Sequence, residues 1–79
     1  MSPKFPAVTS SEVIKTLSKT GFKFKRQSGS SHVIYYRQED KRRVNIPIHS
    51  GKIIKRKTLK SIILSAGLTI EEFENLRKS

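Results

Sequence analysis

Residues 22–48 read FKFKRQSGSSHVIYYRQEDKRRVNIPI, and this stretch decides the fold. Three of its segments show the alternation or the β-branched and aromatic content typical of strands: 22–26, 32–37 and 42–48. A period of two predicts strands, and we expect the first of them to bury one face. The connections between the segments are short and polar, so the stretch predicts an antiparallel three-stranded meander.

Helical signals flank this sheet on both sides. Before it, Ser10 or Ser11 is predicted to cap a first helix that ends at Gly21. After it, Thr58 is predicted to cap a second helix that ends at Gly67. The sequence therefore predicts an α+β domain whose helices cover one face of the sheet and leave the other face free for function.

A third, short helix is predicted at the C-terminus. Thr69 and Glu72 have the spacing of a capping box, and Ile70, Phe73 and Leu76 fall on one helical face. Residues 1–9, which contain two prolines, are predicted to be an extended lead-in. We expect residues 10–79 to form a single domain around one core.

The composition limits the classes of function. The 79 residues contain no cysteine, so disulfides and thiolate metal sites are excluded, which suits a cytoplasmic location. No run approaches the roughly 20 apolar residues that a membrane span requires, and the N-terminus does not resemble a secretory signal. The two histidines are far apart in sequence, so we expect no metal site and no cofactor.

The net charge of +11 points to a polyanionic partner. Residues 13–38 hold six basic residues and 41–70 hold eight, and neither range contains an acid. Three of the six acids lie in 71–74. The apolar helix faces are needed for the core rather than for a bilayer, so nucleic acid is favoured over a membrane surface or a small-molecule substrate.

His32 is the first candidate for chemistry. It directly follows a Gly-Ser-Ser turn at the start of the second strand. An imidazole changes charge near neutral pH and can therefore take up and return a proton. A single histidine in this position is more often a surface or structural residue, and the residues alone favour that interpretation.

His49 follows the third strand, and a meander brings the end of that strand beside the start of the second. His32 and His49 are therefore predicted to share one edge of the sheet, where two imidazoles would suffice for RNA transesterification. The alternative is that His49 only fixes its turn, and the residues favour this alternative. The glycine-containing turn 49–52 and the basic residues after it predict a phosphate-binding platform.

Tyr35 and Tyr36 must lie on opposite faces of the second strand. One is expected to pack inward, and the other is placed to stack on an unpaired base. The sequence does not determine which tyrosine has which role.

Three stretches of the chain carry a resemblance to a known family. They are Gly21-Phe22 followed by Gly29-Ser30-Ser31-His32; VNIPIHSGK at 44–52; and TLKSIILSAGLT at 58–69. Together they resemble the HicA family of toxin ribonucleases, the toxin half of HicA–HicB toxin–antitoxin systems. In that family a glycine often precedes the threonine of the third stretch, where this chain has Lys57.

The resemblance implies a double-stranded-RNA-binding-domain-like fold and cleavage of mRNA, which we expect to proceed by metal-independent general acid–base chemistry at a single histidine. It implies that His32 is catalytic, which reverses the interpretation from the residues alone, and that a HicB-type antitoxin neutralises the toxin. We assign RNA binding to a set of basic and turn residues: Lys23, Lys25, Arg26, Ser31, Arg37, Arg43, Lys52, Lys55 and Lys57. Motif or structural roles go to Gly29, His49, Ser50 and Gly51.

Two alternatives to a ribonuclease remain at the level of the sequence. A non-catalytic RNA-binding module of the same fold would keep the basic surface and make His32 incidental. A protein-interaction domain would leave the charge unexplained.

Overall fold

The computed structural model describes residues 5–29, 31–49 and 51–79. The helices and strands, in chain order, are α1 (Ser10–Ser18), β1 (Lys23–Ser28), β2 (His32–Arg37), β3 (Arg42–Pro47), α2 (Arg56–Ser65) and α3 (Ile70–Lys78). The strands form one antiparallel sheet in the order β1-β2-β3. The predicted α+β fold, with a meander between two helices and a short C-terminal helix, is therefore confirmed.

The core lies between the helices and one face of β3. Val44 and Ile46 of β3 are fully buried, and α1 and α2 both pack on this strand. Phe73 of α3 closes the core, because α3 packs against both other helices. Val8 is also fully buried, so the described end of the lead-in takes part in the core, whereas residues 1–4 lie outside the described residues.

The prediction that the first strand buries one face is wrong. Phe22 is buried, but it precedes β1, and Phe24 within the strand is 57% exposed. A bulge between Phe24 and Arg26 also interrupts the alternation. The physical reason is position, since β1 is an edge strand and the helices pack over β3 at the opposite edge.

Two helices begin earlier than predicted. Thr9, not Ser10 or Ser11, caps α1, and its hydroxyl accepts a hydrogen bond from the Glu12 amide at 3.3 Å in a capping box. Thr9 has the extended backbone that a cap requires because it forms an isolated β-bridge with Ile53.

The same bridge accounts for the early start of α2. The amide of Ile54 donates to the carbonyl of Val8 at 2.8 Å, which holds the segment before the helix extended. The chain enters α2 at Arg56, with Lys55 as a cap that makes no side-chain hydrogen bond. The predicted cap at Thr58 is therefore wrong.

The other helix ends follow the sequence. Gly67 has a φ of 75°, and the Leu68 amide donates to the Ile63 carbonyl at 3.1 Å, as at a glycine-terminated helix end. Thr69 and Glu72 form the predicted capping box of α3.

Arg37 and Asp40 form an ion pair at the end of the sheet opposite to His32. The guanidinium of Arg37 donates to both carboxylate oxygens of Asp40, at 3.0 and 2.6 Å, and to the carbonyls of Thr20 and Ala66. It also lies over the ring of Phe22, 4.6 Å from its centroid. One side chain thereby joins β2 to the ends of two helices. The hydrogen bond from Arg37 lowers the pKa of Asp40 to about 2.

This ion pair predicts how stability depends on pH. Because the carboxyl pKa is about 2 in the folded chain and 3.8 ordinarily, the contribution of Asp40 is complete above pH 3.8 and is lost as the pH falls towards 2. Asp40→Asn should therefore lower the urea midpoint at pH 6, and the difference from wild type should shrink below pH 3.8. Urea titrations at pH 6, 4, 3 and 2 measure this.

Glu39→Gln is the matched control. It removes the adjacent negative charge but none of the described hydrogen bonds of Arg37. A Glu39→Gln variant as destabilised as Asp40→Asn, or a pH-independent difference for Asp40→Asn, would contradict the ion-pair account.

Candidate functional site

The strand register determines which side chains share the face of the sheet away from the core, here called the open face. Partners across an antiparallel pair lie on the same face, and faces alternate along each strand. His32 pairs with Pro47 and Ile34 pairs with Asn45, whereas Val33 and Tyr35 pair with buried residues. His32, at the first position of β2, is therefore exposed on the open face.

The two histidines contribute to the same cavity. It has a volume of about 560 Å³ and lies where the ends of β2 and β3 meet the loop before α2. It is lined by His32, Asn45, Pro47, His49, Lys52, Ile53, Ile54, Lys55 and Thr58. The structure thus brings His32 and His49 to one site, as the meander topology predicts.

Hydrogen bonds to backbone carbonyls position the walls of this cavity. The amide of Ile48 donates to the carbonyl of Ser31 at 2.6 Å, which ties the loop of His49 to the turn before His32. The buried hydroxyl of Ser10 donates to the carbonyl of Pro47 and fixes the end of β3 on α1. These hydrogen bonds join elements distant in sequence, so the cavity depends on the complete fold.

The cavity is positively charged. Lys52 and Lys55 line it, and no aspartate or glutamate is among the described residues that do so. Gly51 has a φ of 73°, and the Lys52 amide donates to the His49 carbonyl at 3.0 Å, so the loop turns tightly after His49. An anion bound in this cavity would meet two imidazoles, which can transfer protons, and two ammonium groups.

The remaining predicted RNA-binding residues are spread over the sheet and α2. Arg26 and Arg43 lie on the open face, opposite Ile34 and Tyr36 respectively. Lys23 and Lys25 line a second cavity of about 480 Å³ at the other end of the sheet.

The other predicted site residues lie in the first turn of α2 and in the turns beside β2 and β3. Lys57 is exposed in the first turn of α2 with helical backbone, so no glycine-requiring turn exists at this position. Ser31 is half-buried in the turn before β2, and Gly29 has the positive φ of 68° that this turn uses. Ser50 lies outside the described residues.

Arg37 differs from the other predicted RNA-binding residues. Its side chain is only 16% exposed and makes the contacts to Asp40, Thr20 and Ala66 described above. Its geometry is that of a structural residue, far along β2 from His32.

Sequence reasoning did not identify five residues of the cavity as site residues: Asn45, Pro47, Ile53, Ile54 and Thr58. Asn45 carried a usable signal, because it lies between the buried Val44 and Ile46 and must therefore share the face of His32. Ile53 and Thr58 carried none, since their positions follow from the bridge to Thr9.

A family model described as the HicA toxin of bacterial toxin–antitoxin systems matches residues 10–68. This match covers most of the 79 residues. The chain belongs to the HicA toxin family. No curated protein matches the chain significantly.

The matched region of this HicA family member contains its candidate site. Residues 10–68 run from the start of α1 to just beyond α2 and include every residue that lines the larger cavity. Helix α3 lies outside the match and packs on α1 and α2, away from that cavity. Family membership makes the chain a toxin of a toxin–antitoxin system.

Two further properties of this HicA chain concern metals and membranes. Across residues 5–29, 31–49 and 51–79, no three histidine, aspartate or glutamate side chains cluster as metal ligands. None of the helices in this part of the chain has the length and apolar character that spanning a membrane requires.

The anchoring hydrogen bond of Ser10 predicts a local effect on the site. Ser10→Ala leaves the Pro47 carbonyl without this partner and should lower the free energy of unfolding by about 1 to 3 kcal/mol. Exchange of the Ile48 amide should also become faster, because the end of β3 loses its attachment to α1. Urea unfolding and amide hydrogen exchange measure the two effects.

Ser11→Ala is the control for this substitution. Ser11 is the next residue of α1 and is exposed, so its replacement should change neither quantity. Equal losses of stability for the two substitutions would contradict the Pro47 account, because alanine is a better helix former than serine and propensity alone would not destabilise either variant.

Proposed function

We propose that this HicA family member is an endoribonuclease that cleaves mRNA by metal-independent acid–base chemistry, with His32 as the essential residue. The observation that supports this most directly is the shared cavity of His32, His49, Lys52 and Lys55. It offers two proton-transfer groups and two cations to one phosphodiester. A structural histidine would not need these neighbours.

The reaction uses the 2′-hydroxyl of the RNA itself. His32 accepts the proton as the 2′-oxygen attacks phosphorus, the bond to the 5′-oxygen breaks, and a second group gives that oxygen a proton. The products are a 2′,3′-cyclic phosphate and a free 5′-hydroxyl. His49 is the second group in this scheme, and the opposite assignment of base and acid uses the same two residues.

The lysines of the cavity have an electrostatic role in this scheme. Lys52 and Lys55 stabilise the negative charge that builds on the phosphoryl oxygens in the transition state. Arg26, Arg43 and the lysines of β1 extend the positive surface along the RNA. Arg37 is left out of this surface because its guanidinium is used within the fold.

The proposed protein partner is a HicB-type antitoxin with an acidic contact surface. Complementary charge would speed its encounter with the basic face, and its binding there would exclude RNA. A cytoplasmic location, where mRNA is available, is part of the same proposal.

The first test is cleavage in the presence of EDTA. Wild-type protein should cut a labelled single-stranded RNA, and His32→Ala should reduce the rate by about 10²- to 10⁴-fold, the usual contribution of a general acid or base. Binding of the same RNA should stay near the wild-type value. Gel analysis of the products and their terminal phosphates measures both rate and chemistry.

Full activity of His32→Ala would refute the assignment of the catalytic residue. Tight RNA binding without any cleavage by the wild type would favour a non-catalytic RNA-binding module. His49→Ala should also lose activity, and an unchanged rate for it would confine the chemistry to His32.

The second test is the salt dependence of RNA binding. If about five phosphates are contacted, log K should fall against log salt concentration with a slope near −3.5, at roughly 0.7 per phosphate for single strands. Lys52→Gln and Lys55→Gln should each reduce the slope by about 0.7. Fluorescence anisotropy from 50 to 300 mM salt measures it.

Lys15→Gln serves as the matched control, because Lys15 lies on α1 and contributes to neither described cavity. Its slope should equal that of the wild type. A wild-type slope near zero would contradict RNA as the partner of the basic surface.

A further inference from the structure

The open face continues from His32 to a second basic region at the far end of β2. The residue pairs across the sheet place Arg26 beside Ile34, and Lys23 and Arg43 on either side of Tyr36. None of the three strands contains an acidic residue. No described ion pair involves Lys23, Arg26 or Arg43, so their charges are available to an external anion.

The bulge in β1 adds a further cation to this face. Phe24 pairs with Tyr35 and Arg26 pairs with Ile34, so Lys25 is the extra residue between them. The ammonium group of Lys25 lies 4.7 Å from the centroid of the Tyr36 ring, which places Lys25 on the open face beside Arg26. Bulges often re-aim side chains near functional sites, and this one directs two successive basic residues to the same surface.

Tyr36 has the position that a base-stacking residue requires. Its ring faces away from the core, whereas Tyr35 packs against the core and makes a T-shaped contact with the ring of Phe24. The ring lines the cavity of about 480 Å³ together with Lys23 and Lys25, and Glu39 is the one acid among the described residues that line it. An exposed lysine on a ring is held by only about 0.5 to 1 kcal/mol, so a base can displace it while the ammonium group moves to a neighbouring phosphate.

The distance from Tyr36 to His32 fits a single RNA strand. The two residues are four positions apart on one strand, about 13 Å at ~3.3 Å per residue. A single strand covers this length in at most about 4 nucleotides at a stacked spacing of ~3.4 Å. A strand cut at His32 would therefore reach Tyr36 within a few nucleotides.

We infer that the open face binds single-stranded RNA and that Tyr36, with Lys23 and Lys25, forms a subsite that stacks one unpaired base a few nucleotides from the cleaved bond. This inference rests on the proposed function only for the position of the cleaved bond. The subsite itself requires RNA binding but not cleavage. It makes affinity depend on RNA length and on the RNA being unpaired. A Watson–Crick duplex offers no free base face to Tyr36.

The test uses RNA that cannot be cleaved, so that binding is measured apart from catalysis. Fluorescein-labelled 2′-O-methyl oligonucleotides of two and eight residues, and an eight-pair duplex, are titrated with wild-type protein and with Tyr36→Leu and Tyr36→Ala variants. Loss of one stacked base should weaken octanucleotide binding by about 5- to 150-fold. Dinucleotide and duplex binding should not change.

Three matched variants complete the design. Tyr36→Phe retains the ring and should bind like the wild type. Leu64→Ala removes an exposed apolar side chain of α2 that lines neither described cavity and should have no effect. Lys25→Gln should reduce the salt slope by about 0.7. Urea unfolding verifies that each variant is folded, and Tyr36→Leu keeps the apolar volume if Tyr36→Ala does not fold.

Several outcomes would overturn the subsite. They are wild-type affinity of Tyr36→Leu for the octanucleotide, equal losses for the dinucleotide and the octanucleotide, or a loss with Leu64→Ala as large as that with Tyr36→Leu. An unchanged RNA affinity combined with weaker binding of an acidic antitoxin would assign the face to a protein. A wild-type protein that shows the length effect but fails to cleave natural RNA would refute the proposed reaction and leave the subsite standing.

Discussion

The pairing register between β2 and β3 is the constraint on which the site depends. Tyr35 pairs with Val44 and Val33 with Ile46, and the two β3 residues are fully buried beneath the helices. A shift by one residue would move both into solvent and send Asn45 into the core. The hydrophobic burial of Val44 and Ile46 therefore also determines that His32 and Asn45 lie on the opposite, accessible face.

The strand register also gathers several cations on the open face of a chain whose net charge is +11. Three of the six acids form the described ion pairs: Asp40 with Arg37 and Arg42, and Glu12 and Glu74 with residues of α3. These pairs lie at a turn of the sheet and along the helices. The cations of the open face, Lys23, Lys25, Arg26 and Arg43, take part in none of these described ion pairs, so an external anion would relieve the repulsion among them.

The sequence predictions were accurate where the structure depends on neighbouring residues and failed where it depends on contacts between distant ones. The limits of β2 and the capping box of Thr69 were predicted correctly, because each depends on residues within one or two turns. The prediction failed at Phe24, which has the pattern of a buried position but lies on an edge strand that the helices leave uncovered. It failed again at Thr58, because the start of α2 follows from the bridge between Thr9 and Ile53.

The sequence by itself determined the order of the elements, the basic surface, the family resemblance and the choice of His32. These follow from local periodicity, composition and short motifs, which need no knowledge of distant contacts. Only the tertiary structure decided that Asn45 and Lys55 join the two histidines in one cavity, that Arg37 is used within the fold, and that Tyr36 is the outward tyrosine. The physical reason is that burial and hydrogen bonding between residues far apart in the chain determine these positions, and a linear pattern contains no record of such pairings.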